Sequence, residues 1–401
     1  MLYTCTPDCV DPSHRHAGAR RNALPALAAA SRATATKAVK KPAPAAPTAA
    51  AKRPIVRDSR GKALVVDIHC HYLNPDILAK TAHLNAAAYD PTTIFANDLT
   101  RAVNTQQMKE RGYKLTGIEQ RVKDMDAMGV DVQAVCPAPY QFFYFTEPDL
   151  GAELSRGVND GLAKLVATHP DRFVGLGTVP LQNPELAVRE LVYLTKELGF
   201  RGIEINTNVN GLNLSDPKLG LEKFWAKANE LGTVIFMHPL GYTQAERLTN
   251  HYFNNVIGNP LDTTVAVSHL IFDGVVARHP KIKFITAHGG GYIAHYWARM
   301  DHAWRARADC RTHIKRPPSS YLEKFYFDTI TFDPQMLKHL IDRFGADHVM
   351  LGTDYPYDMG EEDPLGLIKQ VKRLSKADRE LIGGMNAVKL LKIKTPKAKG
   401  R

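Results

Sequence analysis

The chain is poor in cysteine. Its five, Cys5, Cys9, Cys70, Cys136 and Cys310, are odd in number and scattered over 401 residues. That excludes the disulfide framework that holds small secreted domains together. Cys5 and Cys9 fall near His14 and His16, but no zinc-finger spacing is met and no core pattern surrounds them. Long apolar runs are absent too. None approaches the ~20 residues that cross a bilayer, which excludes an integral membrane protein. Charge of one sign is scarce where a nucleic-acid-binding face would need it. Residues 1–62 carry 12 Lys/Arg against 3 Asp/Glu, a net of +9, and the tail 392–401 adds five positive charges. The formal total is only +11, so the body between these ends is slightly acidic. Nucleic acid is therefore not an expected partner.

What is present falls into three parts. Residues 1–62 are rich in Ala, Pro, Lys and Arg, and "KKPAPAAPTAAAKRP" lacks periodic apolar positions, so this segment reads as a disordered basic extension. Arg20-Arg21 ahead of a short Ala/Leu stretch form a faint twin-arginine export signal. Pro25, Arg32 and the shortness of the stretch count against it. The expected location is cytoplasmic, with a periplasmic one as the alternative. Residues 392–401 are a basic tail. Between them, residues 63–391 alternate short apolar runs with longer helical patterns. The runs are 63–69, 130–137, 173–180, 202–207, 233–239, 282–290, 325–330 and 349–356. "PELAVRELVYLTKELG" from Pro184 is a helix pattern stopped by Gly199, and "SHLIFDGVVARHP" from Ser268 behaves similarly.

Eight strand candidates joined by crossover helices predict a parallel sheet buried on both faces. Their number and the length of the body suit a (β/α)8 TIM barrel better than an open doubly wound sheet. The open sheet usually shows a Gly-rich loop after its first strand, whereas here the first strand ends in His-Cys-His. A long insertion, 72–120, follows that strand and is predicted to lie on the active-site face, where it could act as a lid.

Strand side chains alternate, so His69 and His71 share one face and Cys70 takes the other. Alone, His-x-His is a weak signal; it also occurs at 14–16, where no role is assigned. The weight comes from position. His238 ends the fifth run, His288 ends the sixth just before Gly289-Gly290-Gly291, and Asp354 ends the eighth. In a barrel these strand ends share one mouth. Five such polar residues at four strand ends are hard to explain as packing, because burial without a cation would leave many polar groups to satisfy.

The stretches "VDIHCHYLNP", "DRFVGLGTVPLQNPELAVRELVYLTKELGFRGIEI", "FMHP", "HPKIKFITAHGGG" and "VMLGTDYP" resemble the amidohydrolase superfamily. They are closest to its branch of 2-amino-3-carboxymuconate-6-semialdehyde decarboxylase and related non-oxidative decarboxylases, over roughly 64–391. The resemblance implies that His69, His71, His238 and Asp354 hold one divalent metal, zinc by the nature of the ligand set or alternatively manganese. It implies that His288 is the acid/base beside it. Asp354 is left with two open roles, ligand and proton shuttle. The lysine that bridges two metals in binuclear relatives would lie on strand four, where "GIEINT" offers Glu204 and Asn206 instead. Arg299 matches a family arginine that enters a neighbouring subunit's site, which implies a homodimer. Arg111 lies near a carboxylate-binding arginine, with Arg101 competing for the role. After His238-Pro239 the decarboxylase has a tryptophan, and this chain has Leu240.

The expected activity is metal-dependent, cofactor-free decarboxylation of a small unsaturated or aromatic carboxylic acid. Hydrolysis of a lactone or amide, or hydration of a double bond, on the same site is the alternative. A barrel that has lost activity is a third reading, and the complete ligand set counts against it.

Overall fold

The structure, a computed structural model, describes residues 63–393. Residues 1–62 and most of the basic tail, with the readings attached to them, lie outside the described residues. Eight parallel strands form one sheet in the order β1 (Val66–Tyr72), β2 (Val132–Pro137), β3 (Phe173–Gly177), β4 (Gly202–Asn206), β7 (Val234–His238), β8 (Lys283–Thr286), β9 (Phe325–Asp328) and β10 (Val349–Met350). A small antiparallel pair, β5 (Asn208–Val209) and β6 (Leu212–Asn213), sits outside that order. The last strand meets the first through Ile68 N–H to Leu351 O at 3.0 Å and His71 N–H to Tyr355 O at 2.8 Å. The result is a (β/α)8 barrel, as the alternation of runs predicts.

All eight expected strands are present, and the differences lie at their ends. β1 continues three residues past His69, so both histidines of the pair belong to the strand. β10 is short because 351–355 runs beside β1 by isolated backbone bonds rather than a continuous ladder. Helices start where their caps require. Asn183 accepts from the amides of Glu185 and Leu186 ahead of Pro184, opening Pro184–Lys196. Asp333 does the same for Pro334–Phe344. The pattern "SHLIFDGVVARHP" is split into Asn259–Phe272 and Val275–Arg278, because Gly274 takes a φ of 77° between them.

Two apolar layers hold the barrel. Val66, Ile68, Ala134, Cys136, Leu176, Val234, Phe236 and Ile285 cluster in one. Cys70, Val135, Ile203, Ile235 and Phe284 cluster with the surrounding helices in the other. β1 changes phase between these layers. Asp67 pairs with Gln133 and Cys70 with Val135, so β1 carries one residue more than β2 between those pairs. This bulge lets Ile68 pack in the first layer while His69 and His71 face the barrel mouth.

Candidate metal centre

Each side chain of the centre is delivered by a strand end. β1 supplies His69 and His71, β7 supplies His238, and the turn after β10 supplies Asp354. One ligand atom from each of these four lies within 4.8 Å of all the others, and all four residues are buried. His69 Nε2 and His71 Nε2 approach to 3.1 Å, and Asp354 Oδ1 lies 3.3 Å and 3.2 Å from them. Both ring nitrogens of His238 are buried without a hydrogen-bond partner. Three imidazoles and a carboxylate oxygen converging this way would be costly as packing and are apt as a cation cage.

The electrostatics agree. Burial, then repulsion from His71, His69 and His288, drives the His238 pKa well below its ordinary value, so it stays a neutral donor ligand. Burial likewise lowers His71. At His69 burial opposes charge, but Asp354 and then Asp328 outweigh it and push the pKa up to about 10. Asp354 is held well below the carboxylate range, since the charge on His69 and the close rings of His288, His69 and His71 overcome burial. Asp354 and Asp328 thus favour positive charge at His69 while His71 and His238 stay neutral donors, a set that a divalent ion would complete. Among the described residues this is the one His/Cys/Asp/Glu cluster of metal-binding size.

His288 stands beside the ligands. Its Nε2 is 3.7 Å from Asp354 Oδ2, its Nδ1 has no hydrogen-bond partner, and its side chain keeps 17% exposure toward the cavity. The two oxygens of Asp354 therefore face different ways, Oδ1 to the ligand histidines and Oδ2 to His288. Both His288 and Asp354 have a φ of 55°, a left-handed conformation that side-chain-bearing residues adopt at a cost of order 1–3 kcal/mol.

Asp328, the last residue of β9, was not singled out in the sequence. Its Oδ2 takes a bond from His69 Nδ1 at 2.7 Å and from the His288 amide at 2.8 Å, and its Oδ1 takes the Gly289 amide at 2.7 Å. The rule that found His238, His288 and Asp354, a polar residue closing an apolar run, applies equally to "FYFD". Arg121 is a different kind of miss. It is fully buried, donates to the His71 carbonyl and to Gln133 Oε1, and lies over the Tyr355 ring at 4.8 Å. An arginine on a charged helix carries no signal of that. On β4, Glu204 is buried with neither oxygen hydrogen-bonded, although His71 Nδ1 lies 3.7 Å from its Oε1, and burial pushes its carboxyl well above the ordinary range.

The centre opens into a cavity of about 1350 Å³ bounded by His238, His288, Asp354, Leu240 and the insertion. The insertion thus stands on the active-site face, as expected. Its helix Asp98–Thr116 borders the cavity with Arg101, Asn104, Thr105 and Met108 on one side, flanked by Gln107 and Lys109. Arg111 continues that side of the helix one turn further on but does not line the cavity. It donates to the Tyr357 carbonyl and to Glu362, each at 3.5 Å. Arg101 does line the cavity and pairs with Asp98 at 3.0 Å. Arg299 is exposed on Ile293–Ala306 and does not line the cavity of its own chain.

The amidohydrolase family model matches residues 66–393. This chain belongs to the amidohydrolase family. A 2-amino-3-carboxymuconate-6-semialdehyde decarboxylase of Dictyostelium discoideum is 35% identical to this amidohydrolase over 272 residues, 68% of this chain and 75% of that protein. A gamma-resorcylate decarboxylase of Polaromonas sp. (strain JS666) is 29% identical, over 69% of this chain and 87% of that protein. A solved dihydroxybenzoic acid decarboxylase from Polaromonas sp. JS666, with bound manganese and the inhibitor 2-nitroresorcinol, is 26% identical. It matches with a TM-score of 0.70 over 82% of this chain and 97% of that one. Among the described residues of the amidohydrolase, no helix is long and apolar enough to cross a membrane.

Proposed function

We propose that this amidohydrolase is a metal-dependent, cofactor-free decarboxylase of a small unsaturated or aromatic carboxylic acid. The observation that carries the reading is the four-ligand convergence of His69, His71, His238 and Asp354 beside His288 at the inner end of a cavity. The named activities of the relatives support the choice of reaction. Zinc suits three nitrogens and one carboxylate oxygen, with manganese, present in a related structure, as the alternative. When bound, the ion supplies Lewis acidity at that inner end.

The protein's own residues do the rest. Loss of CO₂ breaks a carbon–carbon bond and leaves the electron pair on carbon, which must then receive a proton. His288, with Asp354 Oδ2 3.7 Å from its Nε2, is placed to hold and deliver that proton. Asp354 keeps Oδ1 for the ligand set, so its two roles fall on two oxygens. Arg101 and Arg111 both sit on the insertion helix, and Arg101 is the better placed to grip a carboxylate, since it lines the cavity. Arg299 serves a neighbouring protomer's site in a homodimer, which its exposure allows.

The test is product analysis. Metal-loaded protein is offered a panel of conjugated carboxylates, lactones and amides, and CO₂ release is measured. Cleavage of a lactone or amide without CO₂ release would sink this reading in favour of a hydrolase.

A further inference from the structure

The cavity above the cluster is much larger than a one-ring acid requires. Its volume is about 1350 Å³, whereas about 150 Å³ holds a benzene ring. Its lining also divides by chemistry. The inner end carries the titratable groups His238, His288 and Asp354. Elsewhere it is walled by Tyr89 and Phe145, whose rings stack at 4.4 Å with 7° between their planes. Neutral amides of Asn210 and Gln244 line the cavity as well.

Tyr89 is 57% exposed, so an aromatic ring that could be covered is left open. The only Lys or Arg among the lining residues are Arg101 and Lys109, both on the helix Asp98–Thr116. Leu240, two residues past His238, also borders the space and is too small to fill it. The lining thus combines His238, His288 and Asp354, suited to a carboxylate, with a flat aromatic face at Tyr89 and Phe145 that a carboxylated single ring would leave unused; Asp90 and Asp358 also border the space, and Asp90 is taken up by bonds from Thr92 and Thr93.

Resting on the decarboxylase reading above, we propose that the substrate has two parts. One is a conjugated carboxylate seated at the cluster. The other is a second, planar and uncharged ring seated against Tyr89 and Phe145, with its polar substituents met by the amides of Asn210 and Gln244. Stacking and burial of that ring supply the affinity, and the amides orient it.

The probes are 2-nitroresorcinol, in which a nitro group stands in for the carboxylate, and the same molecule bearing a phenyl ring opposite the nitro group. Neither can lose CO₂, so binding is read independently of turnover. Calorimetric titration of the full, manganese-loaded chain should show the phenyl ligand binding about tenfold tighter or better. Tyr89→Ala should remove most of that advantage and leave 2-nitroresorcinol within about twofold of its original affinity. Equal affinity of the two ligands, no measurable binding of the phenyl ligand, or an equal loss of both in Tyr89→Ala overturns the proposal. CO₂ release from the matching carboxylates is measured separately. A preserved preference for the two-ring ligand without CO₂ release would overturn the decarboxylase reading and leave the two-part cavity standing.

Discussion

His69 Nδ1 lies 2.7 Å from Asp328 Oδ2, and that bond turns His69 Nε2 toward His71 and Asp354. Burial opposes a charge on Asp328, but the bond from His69, the charges on His69 and His288, and the Gly289 amide hold its carboxyl below the ordinary value. An ionised carboxylate only accepts, so Nδ1 carries a hydrogen, and a bound cation would displace the second proton from Nε2 and take its lone pair. The same carboxylate ties down the amides of His288 and Gly289, both in left-handed conformations. Asp328→Asn should therefore lose about 10–100-fold in metal affinity. Competition with a chelator of known affinity measures it. An unchanged metal affinity would show that His69 keeps its tautomer without Asp328.

Ligand and acid/base roles are separable by substitution. His238→Ala removes a buried imidazole with no hydrogen-bond partner, and the purified variant should be depleted of metal by elemental analysis. His288→Asn should retain metal and lose about 10²–10⁴-fold in turnover, the usual range for a positioned acid/base. Metal loss in His288→Asn would move His288 among the ligands.

The barrel and most of the centre were legible because strand runs fix where side chains end up. Once eight runs are accepted, polar residues closing them must meet at one mouth, and His69, His71, His238, His288 and Asp354 do. Asp328 obeys the same rule, but the run 325–330 continues past it, so the sequence does not mark it as a strand end. The bulge in β1 was not legible, since an extra residue in one strand shows only against its partner's register. Nor was Arg121, whose burial depends on the His71 carbonyl and the Tyr355 ring arriving from distant segments. The sequence does not separate Arg101 from Arg111 either. The helix Asp98–Thr116 buries only Leu115, so no apolar stripe announces which side faces inward.

If Arg299 completes a neighbouring protomer's site, two dead variants should rescue one another. Mixing Arg299→Ala and His288→Asn protomers gives heterodimers with one intact site. With random exchange, activity should recover to roughly a quarter of that of the unmodified protein. The assay is turnover after co-refolding or co-expression, with heterodimers confirmed by mass. Confirmed heterodimers without recovery would argue that each site is complete within one chain.

All proposed ligands, His288 and the arginines lie at residue 69 or beyond, so the Ala/Pro/Lys-rich segment 1–62 is assigned an accessory role. Removing it should leave kcat and metal content within about twofold of the full chain, since distant, independent parts contribute additively. A truncated protein that binds metal yet turns over no substrate would place part of the site in the extension.

Asp262 links the helix after β7 to the loop after β4, accepting from Thr207 Oγ1 and from Asn208 Nδ2. Burial raises its pKa to about 6 against those two bonds, which lower it. The folded state therefore holds a proton that the unfolded chain, near 3.8, releases. The stability this contributes is full below about pH 4 and is lost as pH rises through 6, a change of about 3 kcal/mol in all. Asp262→Asn keeps an acceptor for Thr207 and removes the titration. The variant should gain on the parent as pH rises, with roughly half of the difference appearing between pH 5 and 7.5. Urea unfolding of both proteins across that window is the measurement, and a parent–variant difference that does not move with pH would show that Asp262 is ionised in the fold at no cost.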